Sequence, residues 1–311
     1  MKVIPWDGHP IGRPGVYSKI PLEAYHSGRL CAGPSISSTG LRAIILKSLA
    51  HYWDVSPYNP NRAEDEKEKE AFILGRATHH LLLGEPFFHA QFVVRPDEAP
   101  DGRPWNGNNK TCKAWLAAQR AAGRTVITAD QGERIKGMAL ALAKEPLVAA
   151  GALNGLIEQT IVALDEETGV WVLSRPDVIP TDSGDFVDLK TTTSVTYADL
   201  VKTIGAYGYH MQAALCADGY RAAVGQPISS FSFYFIESRR PHCSRMVTIK
   251  PADLDLGSRQ NRMALRLFVD AMNTGVWPGP GGVQATTEYI DLSPRARETA
   301  EAQLKMMGDA K

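Results

Sequence analysis

The chain has 311 residues, 44% of them hydrophobic and 22% charged, values that exclude a disordered or fibrous chain and allow one elaborated domain. Thirty-four Lys+Arg balance 34 Asp+Glu, for zero net charge. That balance excludes a passive coat held on nucleic acid by bulk charge, and leaves any anionic partner to local cations or a bound metal.

The four cysteines, Cys31, Cys112, Cys216 and Cys243, form no CxxC pair, so neither a zinc knuckle nor a disulfide scaffold is expected, and a reducing cytoplasm fits. No stretch nears the roughly 18 to 20 apolar residues of a membrane span, and the N-terminus lacks an apolar signal core. Secretion and a membrane partner are not expected.

Residues 1–34 are rich in Gly and Pro and predict an extended arm, laid on the domain or toward a neighbouring subunit. Behind Ser37, Ser38 and Thr39, the spacing of Leu41, Ile44, Ile45 and Leu49 predicts a helix over 40–53, stopped by Pro57 and Pro60. The mixed charge run 64–70 reads as the solvated first turn of a second helix that carries Leu74, Gly75 and His79. Residues 96–110 predict a loop or lid, and a helix follows over 129–144.

The period then changes. Segments 156–164 and 170–179 are β-branched and aromatic, joined by a turn at 165–169, and a third strand over 186–190 completes an antiparallel meander. A helix over 207–223, strands over 230–237 and 245–249, and a helix over 256–273 follow. The expected class is α/β, a central mixed β-sheet with an antiparallel meander flanked by helices. The expected organisation is an arm (1–34), a main domain (35–282) and a tail with a short helix (283–311).

Within Phe186-Val187-Asp188-Leu189-Lys190, strand alternation sends Asp188 and Lys190 to one face and Val187 and Leu189 to the other. Asp177 lies on the preceding strand, so both carboxylates can face one site. Converging carboxylates suit a hard divalent cation, which lowers the pKa of a bound water and offsets charge at a phosphate. Glu158, on the first strand of the meander, can complete the set. Arg175 adjoins Asp177 and can grip a phosphate. The alternative is a surface ion pair of Asp188 with Lys190, worth about 0 to 1 kcal/mol, with His79 a core histidine and Arg175 an ordinary surface arginine.

The motifs Gly75-Arg76-Ala77-Thr78-His79, Arg175-Pro176-Asp177, Asp188-Leu189-Lys190-Thr191 and Gln212 stand in one order along residues 75–212. Ser35-Ile36-Ser37 precedes them, and segments from Phe235 through Arg240-Pro241 to Trp277-Pro278 follow. This combination resembles the PD-(D/E)xK nuclease superfamily, and within it the RecB/RecE-like exonucleases related to exodeoxyribonuclease VIII and lambda exonuclease. The resemblance implies that Asp177 and Asp188 are metal ligands with His79 and Glu158, that Lys190 is the catalytic lysine, and that Gln212 contacts DNA or orients Lys190. It also implies Mg²⁺, with Mn²⁺ as a substitute, and a nuclease domain over 35–282. Arg175, Arg42 and Lys47 become candidates for a terminal-phosphate pocket. The family's Q-x-x-x-Y helix motif has Cys216 at its tyrosine position, with Tyr209 and Tyr220 nearby as replacements.

The function so implied is a phage or prophage exonuclease of the bacterial host cytoplasm. It degrades linear duplex DNA from its ends, 5′ to 3′, as a ring-shaped homo-oligomer, and exposes single strands for an annealing protein. Two alternatives stay open: a structure-selective or restriction-type endonuclease, and a non-catalytic DNA-binding or partner-docking module.

Overall fold

The computed structural model describes residues 1–62, 70–82, 88–181, 183–282 and 287–308. The chain opens with β1 (Val3–Pro5), β2 (Gly15–Ser18), α1 (Leu22–His26), β3 (Ser35–Ser37), α2 (Ser38–Leu46) and α3 (Leu49–Val55). Next come α4 (Glu70–Leu82), α5 (Phe88–Gln91), β4 (Phe92–Val94), α6 (Lys110–Ala121), β5 (Thr125–Ile127), α7 (Ala129–Leu142) and α8 (Pro146–Ala149). The middle holds β6 (Leu156–Ile157), β7 (Thr160–Asp165), β8 (Val170–Ser174), β9 (Val178–Ile179) and β10 (Asp185–Thr192). The rest is α9 (Tyr197–Tyr207), α10 (Tyr209–Val224), β11 (Ser230–Glu237), β12 (Ser244–Thr248), α11 (Pro251–Thr274) and α12 (Pro294–Met306).

Two five-stranded sheets, β1-β2-β7-β8-β3 and β12-β11-β10-β9-β6, are flanked by the helices, and β4 and β5 pair separately. This is the expected mixed α/β architecture with one correction to the meander. Its first two strands are each broken, at Glu158–Gln159 and at Arg175–Asp177, and the two halves join different sheets. Local chemistry explains the break. Pro176 has no N–H for a ladder, and Glu158 sits in the left-handed region at φ 54°, at a cost of about 1–2 kcal/mol for a residue with a Cβ.

Strand β10 pairs antiparallel with β9 and parallel with β11, in the register Asp188 to Phe233 and Lys190 to Phe235. A parallel pair needs a crossover, here α9 and α10. Val187 and Leu189 enter the core formed with Leu74, Ala77, Ile135 and Met138, while Phe186 joins Phe231, Phe233 and Phe235 on the opposite face. Asp188 and Lys190 therefore share the face of Phe186, as alternation predicts.

The segment 1–34 is woven into the first sheet. Strand β2 pairs antiparallel with β7, and Val16, Ile11, Tyr17 and Ile20 are buried. The helix expected over 40–53 is two helices, because Lys47 leaves helical geometry and Ser48 caps α3 by accepting from the His51 N–H at 3.3 Å. The helix expected over 207–223 is preceded by α9, capped by the Thr196 hydroxyl. Helix α11 starts earlier than its apolar pattern, with Pro251 in its first turn. Helix α6 follows the expected lid, and α12 lies in the expected tail. The charge run at 64–69 lies outside the described residues. Among the described residues, no helix is long and apolar enough to cross a membrane.

Helices α10 and α11 cross at Gly257, where a Cβ would stand 2.6 Å from the His210 carbonyl oxygen and 2.9 Å from Ala214 Cβ. Because the nearest atom is backbone, Gly257→Ala forces the helices apart. Overpacking of this kind costs about 1–3 kcal/mol, more than the roughly 1 kcal/mol that alanine gains in helix propensity. The expected result is a lower urea midpoint at unchanged slope; a midpoint at or above wild type would refute the tight crossing.

Candidate functional site

The site forms where the broken hairpin meets β10. Asp177, 5% exposed, immediately precedes β9, and its Oδ2 accepts the Leu189 N–H at 2.6 Å. Its backbone carbonyl accepts the Glu158 N–H at 3.1 Å, so the two breaks are tied together. Helix α4 buries Leu74 and Ala77 in the core and thereby presents His79, whose Nδ1 lies 3.3 Å from Asp177 Oδ1. The donor atoms of His79, Glu158 and Asp177 all lie within 4.8 Å of one another.

Asp188, 1% exposed, takes a fork of hydrogen bonds from Lys190 Nζ, at 3.0 Å to Oδ1 and 2.7 Å to Oδ2. Its Oδ2 also accepts from Gln212 Nε2. Gln212 is thus joined to Lys190 through the Asp188 carboxylate. Both acids are buried, so the alternative of an exposed ion pair does not hold.

Burial raises both carboxyls, with opposite outcomes. At Asp177 the charge and hydrogen bond of His79, followed by the charge of Lys190, reverse the effect and hold the group well below the usual carboxylate range. At Asp188 the repulsion of Asp177 adds to burial, and its carboxyl is pushed up to about 7. The repulsion between the two carboxyls therefore falls on Asp188, the member without the imidazole partner. Burial lowers His79, but the attraction of Asp177 outweighs it and the imidazole titrates above its ordinary value. Burial likewise lowers Lys190, and the charges of Asp188 and Asp177 more than compensate, so the ammonium is retained.

Two carboxylates and an imidazole, preassembled at low exposure, are a fitting donor set for a divalent cation. Among the described residues, Asp188 is not part of that three-residue cluster; it adjoins it through Asp177. The donors fit, and the left-handed backbone at Glu158 is strain of the kind that gathers at functional sites.

Beside the cluster lies a pocket of about 220 Å³ lined by Arg42, Arg175, Ser38, Thr39, Tyr25, Glu158, Asp177 and Gln212. Arg175 is fixed there by bonds to Thr160 Oγ1 and the Ile20 carbonyl, both 2.9 Å, and by the Tyr25 ring 4.6 Å away. Arg42 is anchored on the Tyr207 carbonyl at 2.8 Å. Lys47 is exposed at the far end of α2 and is not among the lining residues. Tyr25 belongs to the N-terminal segment, and nothing in its local sequence marks it.

The two tyrosines near the Cys216 position lie in different surroundings. Lys190 Nζ stands 5.5 Å from the Tyr209 ring centroid, whereas Tyr220 packs edge-on against Phe186. Cys216 is buried on the pocket floor, and burial pushes its thiol far up.

Curated proteins yield no match to the sequence. Among solved structures, a protein from Eubacterium rectale carrying a provisional exonuclease assignment is similar over 90% of this chain and 98% of its own, at 13% identity and TM-score 0.60. A phage-related exonuclease from Haemophilus somnus is similar over 64% and 94%, at 13% identity and TM-score 0.31. The first likeness shows a shared fold. A family model described as a PDDEXK-like domain of unknown function matches residues 46–289, a range that holds His79, Glu158, Asp177, Asp188, Lys190 and Gln212. The chain belongs to this PDDEXK-like family, DUF3799.

Proposed function

We propose that the chain is a metal-dependent DNA exonuclease that hydrolyses phosphodiester bonds from the ends of linear duplexes. The observation that carries this reading is the gathering of His79, Glu158 and Asp177 beside the Asp188–Lys190 pair. Family membership supports a nuclease, and the exonuclease names of the structural relatives agree with end-directed cutting. A divalent cation, Mg²⁺ or Mn²⁺ in this proposal, held by Asp177, Glu158 and His79 with Asp188 adjoining, would supply an acidified water and a counter-charge for the phosphate.

The chain's own groups divide the remaining work. Lys190, kept protonated by the carboxylates, donates a hydrogen bond to the scissile phosphate and orients the attacking water. Gln212 fixes the Asp188 carboxylate. Arg42, Arg175 and the hydroxyls of Ser38 and Thr39 offer donors to a terminal phosphate in the adjoining pocket. Cutting in the 5′ to 3′ direction, a ring-shaped homo-oligomer and delivery of the single strand to an annealing protein, in the bacterial cytoplasm, complete the proposal. The deciding experiment incubates the protein with end-labelled linear and covalently closed circular DNA, with Mg²⁺ and with EDTA. Loss of label from linear DNA alone, abolished by EDTA, is expected; cutting of closed circles would establish an endonuclease instead.

Asp177→Asn and Asp188→Asn should each lower cleavage by about 10²-fold or more. In Asp177→Asn the asparagine keeps an acceptor for the Leu189 N–H, which alanine would orphan at about 1–3 kcal/mol, so the melting temperature of this variant should stay near wild type. Lys190→Ala should be as inactive yet retain Mn²⁺ binding by calorimetry, since an ammonium has no lone pair for a cation. Loss of Mn²⁺ affinity equal to that of Asp177→Asn would contradict this division of roles.

End recognition has its own readout. Wild type should degrade 5′-phosphorylated duplexes faster than 5′-hydroxyl duplexes, and Arg175→Ala should collapse that ratio toward one. The ratio is internal to each protein, so a general loss of activity from releasing the Ile20 carbonyl does not imitate the effect. An unchanged ratio would remove Arg175 from the pocket's function.

A further inference from the structure

The sheet face that carries Lys190 continues outward as a stack of rings. Phe233 lies against Tyr209, with centroids 5.1 Å apart and planes 28° apart, and Tyr209 lies against Tyr207 at 5.6 Å and 19°. The middle ring is flanked by two cations, Lys190 Nζ at 5.5 Å and the Arg42 guanidinium at 5.8 Å. Tyr207 ends the stack at the surface, 59% exposed.

Its place is built, not incidental. Tyr207 is the last residue of α9, where Gly208 at φ 62° breaks the helix. A Cβ at Gly208 would meet Leu46 Cδ1 at 3.0 Å and Arg42 Cδ at 3.2 Å, so both conformation and space call for glycine. The Arg42 side chain, which lines the pocket, also clamps the Tyr207 carbonyl. The ring is thus held one layer beyond the Tyr209 ring that adjoins Lys190.

We propose, resting on the nuclease reading above, that the Tyr207 ring is the stacking platform for a nucleobase of the DNA strand whose phosphodiester lies at Lys190. A base is the flat, largely apolar part of a strand that stays covalently close to that phosphate. Base stacking on an aromatic side chain tolerates any sequence because every base offers a π-face. It also supplies grip that does not depend on charge, which a chain of zero net charge needs.

The test compares binding of a fluorescein-labelled oligothymidine with that of an abasic phosphodiester of the same length and charge, by anisotropy in EDTA. Wild type should bind the thymidine strand about tenfold more tightly. Tyr207→Ala should bind both strands as wild type binds the abasic one, while Tyr207→Phe and Tyr207→Trp keep the preference. Should the alanine variant fail to fold, Tyr207→Gln against Tyr207→Trp makes the same comparison. No binding by wild type, no preference in wild type, or an undiminished preference in Tyr207→Ala each overturns the platform. A Tyr207-dependent preference in a protein that cleaves no DNA with Mg²⁺ or Mn²⁺ refutes the nuclease reading and leaves the platform standing; cleavage without the preference does the reverse.

Discussion

The buried carboxylate of Asp177 holds the candidate site together. One oxygen accepts the Leu189 N–H of β10 and the other faces His79 of α4, while the same residue's carbonyl takes the Glu158 N–H. One residue therefore joins both breaks of the bent hairpin, the strand bearing Asp188 and Lys190, and the helix that flanks them. Without it, the two sheets would still pack on their phenylalanines and leucines, but nothing would fix the acids relative to the imidazole.

This knot also shows which parts of the site were legible in the sequence. The two faces of β10 follow from alternation alone, since Val187 and Leu189 are buried in one core and Phe186 in another. The adjacency of Asp177 to Asp188 follows from a short antiparallel return. The burial of both acids does not follow, because it depends on α4 and α10 closing over them. The left-handed turn at Glu158 is likewise hidden: no glycine or asparagine marks it, and the sequence reads straight through as one strand.

Elements were missed for comparable reasons. Helix α9 has a clear cap in Thr196 and Asp199, but its exposed Tyr197, Val201 and Tyr207 blur the apolar period that would announce it. The break between α2 and α3 turns on Ser48, whose hydroxyl captures His51, a local bond that outweighs a continuous apolar stripe. The N-terminal segment carries few periodic residues, yet β2 lies inside the first sheet between β1 and β7; a pairing partner more than a hundred residues away leaves no local trace.

Arg42 connects these themes. It sits where the helix break, the pocket and the ring stack meet, bonded to the Tyr207 carbonyl and close to Tyr209. Burial lowers its pKa, and the nearby Tyr209 and Asp188 partly restore it, so the guanidinium remains charged at a half-buried position. A cation so placed is screened far less than one on the surface. A protein with no net charge can then present strong positive charge at one point, which suits the proposed grip on the phosphate of a strand end.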